Sequence, residues 1–100
     1  MTDETVNRIR EMEGIADDTA RLNAALSGQL DMLDAAREKM KKLFQYYGSE
    51  AWYRDRETDL PEGIKAGVLS EDLIYDEITA LRDSAFRMLG LATDLLKNVL

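Results

Sequence analysis

Carboxylates on two amphipathic segments are the side chains of this sequence that could do chemistry. Asp31, Asp34 and Glu38 share one helical face, and Asp72 and Asp76 share another. Acids on facing helices can hold Mg²⁺ and support hydrolysis, because this cation prefers several oxygen ligands. Hydrolases of this kind usually carry a denser pattern of Glu pairs on two helices, which is missing here. Asp31 and Asp34 also lie away from the apolar seam of their helix. The sequence therefore predicts no catalytic or metal-binding residue and keeps a metal-dependent hydrolase as an alternative.

The middle of the chain holds a second group of acids. No EF-hand spacing is present among them, so we interpret them as a solvated loop with helix-capping acids, not as a cation site. The group consists of Glu50, Asp55, Glu57, Asp59, Glu62, Glu71 and Asp72.

The sequence has no Cys and no His. This composition removes thiol nucleophiles, disulfides and thiolate metal sites, together with the commonest general base and the Ser–His arrangement. An enzyme would have to use carboxylates, Lys, Arg, Ser or Tyr. These absences narrow the options for catalysis without excluding them. Because no catalytic or ligand signature is present either, we expect the chain not to be an enzyme and to bind no cofactor.

One basic cluster, Arg37, Lys39, Lys41 and Lys42, precedes two tyrosines on which bases could stack. The chain has 20 acids against 13 bases and a net charge of −7, which argues against binding nucleic acid or an anionic membrane surface. The dipole at a helix C-terminus and solubility explain the cluster adequately. Weak nucleic-acid binding stays an alternative.

No stretch of 18 apolar residues is present, so we expect no membrane span. The first 14 residues are charged and lack the apolar core of a secretory signal. The expected location is the cytoplasm.

Two heptad stripes indicate the elements that would position these groups. The first runs from Met12 to Tyr47 and the second from Ile74 to Val99, each stepping by 3 and 4. This spacing keeps one apolar seam along a helix and favours lengthwise packing on another helix. Because a short connector joins the two stripes, they predict an all-α, long antiparallel helical hairpin, coiled-coil-like, with a short helix at the bend.

The predicted elements are a helix over about 4–46, a short helix over about 50–57, a connector over 58–70 and a helix over about 71–98, in a single domain 1–100. The first helix is expected to continue through Gly28, because the heptad phase survives there; a break at Ser27–Gly28 is the alternative. Gly48 is expected to end this helix in the left-handed conformation that glycine adopts readily.

Four residues are assigned to caps and turns between the helices. Ser49 and Ser70 are expected to cap the second and last helices, because a short side-chain oxygen accepts from the unpaired N–H groups of a first turn. Pro61 fixes its own φ within a turn, and Gly67 is expected at a close backbone approach. The connector's apolar residues should pack against the hairpin end: Ile64, Val68 and Leu69.

Six of the seven aromatic residues lie between positions 44 and 75. They could form a buried plug at the bend, or a recognition surface with Arg54, since Trp, Tyr and Arg are typical of binding hot spots. Both readings hold if Trp52 points inward and Tyr53 outward. The six are Phe44, Tyr46, Tyr47, Trp52, Tyr53 and Tyr75.

The two long helices leave apolar residues without a partner. At 1.5 Å per residue their lengths are about 64 and 42 Å, so roughly 20 Å of the first helix extends past the last. The last helix has apolar residues outside its seam, including Phe86. We expect a second copy to cover these surfaces and form a dimer; a bent first helix that covers itself is the alternative. The overhang carries Val6, Ile9, Met12 and Ile15.

The middle of the chain resembles a small bacterial family of uncharacterised proteins. The marks of the resemblance are Tyr47-Gly48-Ser49 with Trp52 and Asp55, then Leu60-Pro61, then Gly67-Val68-Leu69-Ser70-Glu71-Asp72 and Tyr75-Asp76. The spacer between Asp55 and Leu60 looks shorter than is usual in the family. The resemblance implies a compact helical protein of unknown function and supplies no substrate, cofactor or catalytic residue.

Together these patterns leave the biochemical activity unknown and favour a non-enzymatic protein–protein interaction or self-associating helical module. The partner is expected to be a second copy, with an unidentified protein as a further possibility. The candidate interaction surface comprises Val6, Ile9, Met12, Ile15, Trp52, Tyr53, Arg54 and Phe86.

Overall fold

The computed structural model describes residues 2–99, and this part of the chain contains helices and no strand. α1 spans Asp3–Tyr46, α2 spans Glu50–Arg56, a 3₁₀ turn spans Gly67–Leu69, and α3 spans Glu71–Asn98. α1 is continuous through Gly28, so the alternative break at that glycine is wrong.

The chain divides by its contacts into two units, one ending at Lys39 and the other beginning at Met40. The first unit is the larger part of α1. Its cap is Thr2, whose Oγ1 accepts a hydrogen bond from the Thr5 backbone N–H at 3.2 Å. This bond satisfies one of the donors that a first helical turn leaves unpaired. That the chain folds as a single domain stays a prediction.

The second unit contains the end of α1, α2, the connector and α3, and its chain direction reverses at the bend. The Tyr47 hydroxyl donates to the Glu71 carbonyl at 3.1 Å, which ties the end of α1 to the start of α3. Residues of α1 before Tyr47 and residues of α3 after Glu71 line one open cleft of about 360 Å³. This order is antiparallel, and the predicted all-α helical hairpin with a short helix at the bend is confirmed. The cleft is lined by Met40, Leu43, Phe44, Glu77, Ala80, Leu81 and Ser84.

The bend begins where α1 ends, at Gly48. This residue has φ +78°, the left-handed conformation predicted for it, and Ser49 N–H then donates to the Tyr46 carbonyl at 3.0 Å. Ser49 Oγ accepts from the Trp52 backbone N–H at 3.2 Å, which confirms the predicted cap of α2.

The connector between α2 and α3 turns twice. At Pro61 the carbonyl accepts from Ile64 N–H at 3.4 Å, and Gly63 within that turn has φ +89°. Gly67 opens the 3₁₀ turn, but a Cβ placed on it would meet nothing closer than Leu73 Cδ2 at 3.8 Å. The predicted close backbone approach at Gly67 is therefore wrong. The connector's apolar residues also pack less than expected, since Ile64 and Val68 are exposed and Leu69 alone is half-buried.

Caps and charges fit α3 better than the end of α1. Ser70 Oγ accepts from the Leu73 backbone N–H at 3.4 Å, as predicted, and Glu71 and Asp72 occupy the first turn. Lys97 lies in the last turn of α3. The last turn of α1 contains no basic residue, so the explanation of its basic cluster by the helix dipole is wrong.

Candidate interaction surfaces

The bend is organised around one buried indole. Trp52, on α2, is 2% exposed, and its Nε1 donates to the Val68 carbonyl at 2.9 Å. A buried indole N–H without a hydrogen-bond partner would destabilise the fold. The Val68 carbonyl is that partner, and the bond links the connector to α2. Tyr47 and Tyr53 meet the Trp52 ring edge-on, with centroids 5.1 and 5.0 Å away. Ile74, at the start of α3, is 3% exposed. We call residues 46–74 the hinge.

Arg56 joins two parts of the hinge. Its guanidinium carbon lies 4.6 Å from the centroid of the Trp52 ring, a distance at which the ring face attracts a cation. Its Nη1 lies 3.2 Å from Glu71 Oε1, on the first turn of α3. The side chain of Arg56 therefore connects α2 to α3 across the indole.

Tyr46 and Asp55 form a polar contact at the rim of the hinge. The Tyr46 hydroxyl donates to Asp55 Oδ2. This hydrogen bond, together with desolvation and the carboxylate charge, raises the pKa of Tyr46 above its ordinary value of 10.0. The phenol is held protonated and links the last turn of α1 to α2.

The hinge separates the predicted interaction residues into buried and exposed ones. Trp52 is buried, so its assignment to an interaction surface is wrong and the aromatic plug accounts for it. Tyr53 is 56% exposed, although one side of its ring contacts Trp52. Glu50, Tyr53 and Arg54 line an open hollow on the outer side of α2. Tyr53 and Arg54 therefore remain available to a partner.

Residues 82–99, which comprise the end of α3 and its C-cap Val99, differ from the hinge in having no buried side chain. We call them the distal segment of α3. Every residue from Arg82 to Val99 is exposed, although the heptad seam continues to the end of the helix. Phe86 is 61%, Leu89 65% and Leu96 63% exposed. An exposed row of large apolar side chains is typical of a surface that contacts another molecule.

The start of α1 also exposes apolar side chains. Ile9, Met12 and Ile15 are each about half exposed, and Val6 is half-buried. We call these four residues the α1 stripe. They lie along the helix in the first unit, on which nothing is buried.

The acids do not gather at one point in the described structure. Within residues 2–99, no group of three or more Asp or Glu side chains could hold one metal ion. Asp34 pairs instead with Arg37, whose Nη2 lies 2.8 Å from Asp34 Oδ1. One member of the acidic face and one of the basic cluster are therefore held to each other. No helix in this part of the chain combines the length and the apolar character needed to cross a bilayer.

Sequence reasoning missed the polar contacts of the hinge. Arg56 pairs with Glu71 and lies over the Trp52 ring, and no local pattern in the sequence predicts either contact. Tyr46 and Asp55 are 9 positions apart, and neither helical nor strand periodicity predicts a contact at this separation. The turn at Gly48 brings Tyr46 to Asp55, and the connector brings Glu71 to Arg56.

The fold and these surfaces define an all-α helical hairpin with a packed aromatic hinge and exposed helical arms. Residues 9–91 match the family described as Domain of unknown function (DUF4298), and the chain belongs to this family. The resemblance to a small family of uncharacterised proteins is thereby confirmed. No curated protein matches the chain. The family description names no activity, so function is inferred from the residues themselves.

Proposed function

We propose that this protein is a non-enzymatic, bacterial cytoplasmic interaction module that self-associates through exposed apolar faces of its helices. The hinge holds the arms in a hairpin, and the arms make the contacts in a coiled-coil manner. The proposal assigns no catalytic residue, no cofactor and no nucleic acid. A further protein partner would contact the outer side of α2 at Tyr53 and Arg54.

The observation that carries this proposal is the unbroken exposure of the distal segment of α3. A helix with a heptad pattern offsets the conformational entropy lost on ordering only when another helix packs over its apolar side chains. Leu95 and Val99, which belong to the heptad seam, are 55% and 69% exposed in the single chain. Their burial in a second copy would remove apolar area from water, at roughly 25 cal/mol per Å².

The α1 stripe supports the same proposal from the other arm. Ile9, Met12 and Ile15 are spaced at three-residue intervals on one helix. Residues three apart on a helix are neighbours on its surface, so these side chains form an apolar strip that winds around the helix. Such a strip would lower the solubility of a monomer unless it were covered.

The test is the mass in solution, measured by sedimentation equilibrium over a range of concentrations. We expect a mass above the 11.3 kDa of one chain, rising with concentration. The double variant I9E/M12E should lower this mass if the α1 stripe contributes. A matched control, N7E/N23E, adds the same two charges at exposed polar positions of α1 and should leave the mass unchanged. A wild-type mass of one chain at every concentration would overturn the proposal.

A further inference from the structure

The distal segment of α3 carries two apolar stripes, of which the heptad seam is only one. The apolar residues Phe86, Leu89 and Leu96, together with Thr93, step by 3, 4 and 3, and all four are exposed. The Thr93 hydroxyl donates to the Leu89 carbonyl of the same helix at 2.9 Å. Residues with this spacing lie above one another on one face of a helix, beside the seam. We call them the outer stripe. A helix with two adjacent apolar stripes can contact two other helices at once.

The two edges of the outer stripe differ in chemistry. One edge carries Asp83, Gly90 and Lys97, spaced seven residues apart. The other edge carries Ala85 and Ala92, which belong to the seam. The charged edge has an acid at one end and a base at the other, with the smallest residue midway between them.

This arrangement is self-complementary only when two copies of α3 run antiparallel. In an antiparallel pair related by a two-fold axis near Gly90, like edges face each other, and Asp83 then lies opposite Lys97 of the second copy. The same pairing occurs twice because of the symmetry. A parallel pair would instead set the charged edge against the alanine edge and leave both charges without a partner.

The centre of the stripe permits close approach. A Cβ placed on Gly90 would meet nothing within 4 Å, and Ala85 and Ala92 are small. Small residues at both edges allow two helix axes to approach, so that the large residues can interdigitate. In the antiparallel register Phe86 lies near Leu96 of the second copy, and Leu89 lies near the centre.

Resting on the proposed self-association, we propose that the outer stripe is the docking surface for α3 of a second copy. The contact is antiparallel, centred on Gly90, and flanked by two Asp83–Lys97 pairs. From Phe86 to Leu96 the stripe is only about 15 Å long, so the dimer is reversible and its mass depends on concentration.

The first experiment compares two leucines on the same helix by sedimentation equilibrium of the full chain. L89E places a charge in the outer stripe and is expected to give a monomer. L91E makes the same change on the opposite side of the helix, where Leu91 is also exposed, and is expected to retain the wild-type dimer. Circular dichroism establishes that both variants keep their helix content. Equal masses for the two variants would overturn the proposal.

The second experiment tests the orientation by exchanging charges. D83K alone and K97D alone each create two like-charge pairs and should weaken the dimer about tenfold. The double variant D83K/K97D restores opposite charges and should recover the wild-type dissociation constant. A double variant weaker than both single variants would overturn the antiparallel register.

The outcomes separate this proposal from the one on which it rests. A wild-type protein that is monomeric overturns self-association itself. A wild-type dimer that L89E leaves intact overturns the outer stripe alone and directs attention to the α1 stripe.

Discussion

The first residues of α3 lie in the hinge and its last residues lie in the distal segment, yet the two regions differ in burial, in aromatic contacts and in charge pairing. Near its start α3 carries Ile74, which is 3% exposed, and it continues into a segment in which every residue is exposed. The hinge combines aromatic stacking, an indole hydrogen bond and an ion pair; the distal segment has a repeated apolar pattern and separated charges. The contrast supports the proposal that the chain builds its own shape at the hinge and uses the distal segment to contact a second copy.

The hinge can be compact because aromatic residues bury much area with few side chains. Trp52 contacts Tyr47, Tyr53 and Arg56, and its N–H reaches the connector. Such contacts need no second molecule. A helical arm carries its apolar residues in stripes along its surface, and a lone helix cannot bury such stripes by itself.

The largest effect is expected from removing the indole at the centre of the hinge. W52A should lower the free energy of unfolding by about 3–5 kcal/mol, because it leaves a cavity and an unpaired Val68 carbonyl. Y53A, at the adjacent exposed position, should lower it by less than about 1 kcal/mol. Urea denaturation measures both, and equal effects would remove the distinction between the inner and outer aromatics.

One pair of variants tests whether the two parts of α3 contribute differently to the free energy of unfolding. I74A should lower the free energy of unfolding by about 2–4 kcal/mol, because it deletes buried methylene groups. L91A, in the distal segment, should change it by no more than about 0.5 kcal/mol at concentrations where the protein is monomeric. Thermal melts at low concentration provide the test. A loss for L91A as large as that for I74A would show that the monomer already buries its distal segment.

A smaller effect is expected at the glycine that starts the hinge. G48A should lower the free energy of unfolding by about 1–2 kcal/mol, because its φ of +78° disfavours a Cβ. G67A is the matched control, since its φ is not positive and an added Cβ would have room. Chemical denaturation of G48A should show the loss, and G67A should be as stable as the wild type or more so.

The smallest effect concerns the rim of the hinge at high pH. The pKa of Tyr46 is raised, so the folded chain holds the phenol proton after the unfolded chain has released it. The Tyr46 contribution to stability is therefore complete below pH 10.0 and is lost as the pH rises through the raised pKa. NMR titration of the Tyr46 ring measures this pKa directly. In D55N the charge is removed, and the pKa should move back towards the ordinary value.

Local signals predicted the helices and their ends, because each signal acts within a few residues. Ser49 and Ser70 lie three positions before the N–H groups they accept from, and Gly48 has the positive φ that its position after Tyr47 indicated. The same signals could not predict contacts across the turn. Arg56 and Glu71 are 15 positions apart, and nothing in either residue's neighbourhood marks the other.

The close backbone approach predicted at Gly67 is wrong for the same reason. Its place before an apolar pair and a capping serine suggested that the backbone must pass close to another element. The 3₁₀ turn instead leaves only Leu73 nearby, at 3.8 Å. Similarly, the heptad pattern of α3 indicated a buried seam along its whole length, whereas residues 82–99 are exposed in the single chain. The heptad pattern indicates which residues must be buried, but it does not indicate whether the same chain or another molecule buries them.

The account is tested most directly by amide hydrogen exchange measured at a low and a high protein concentration. If a second copy docks on the distal segment, residues 82–99 should exchange more slowly at the high concentration, because pairing suppresses local opening of that part of α3. The amides around Trp52 should exchange at the same rate in both samples. Identical exchange at both concentrations along residues 82–99 would contradict the claim that the distal segment is the site of self-association.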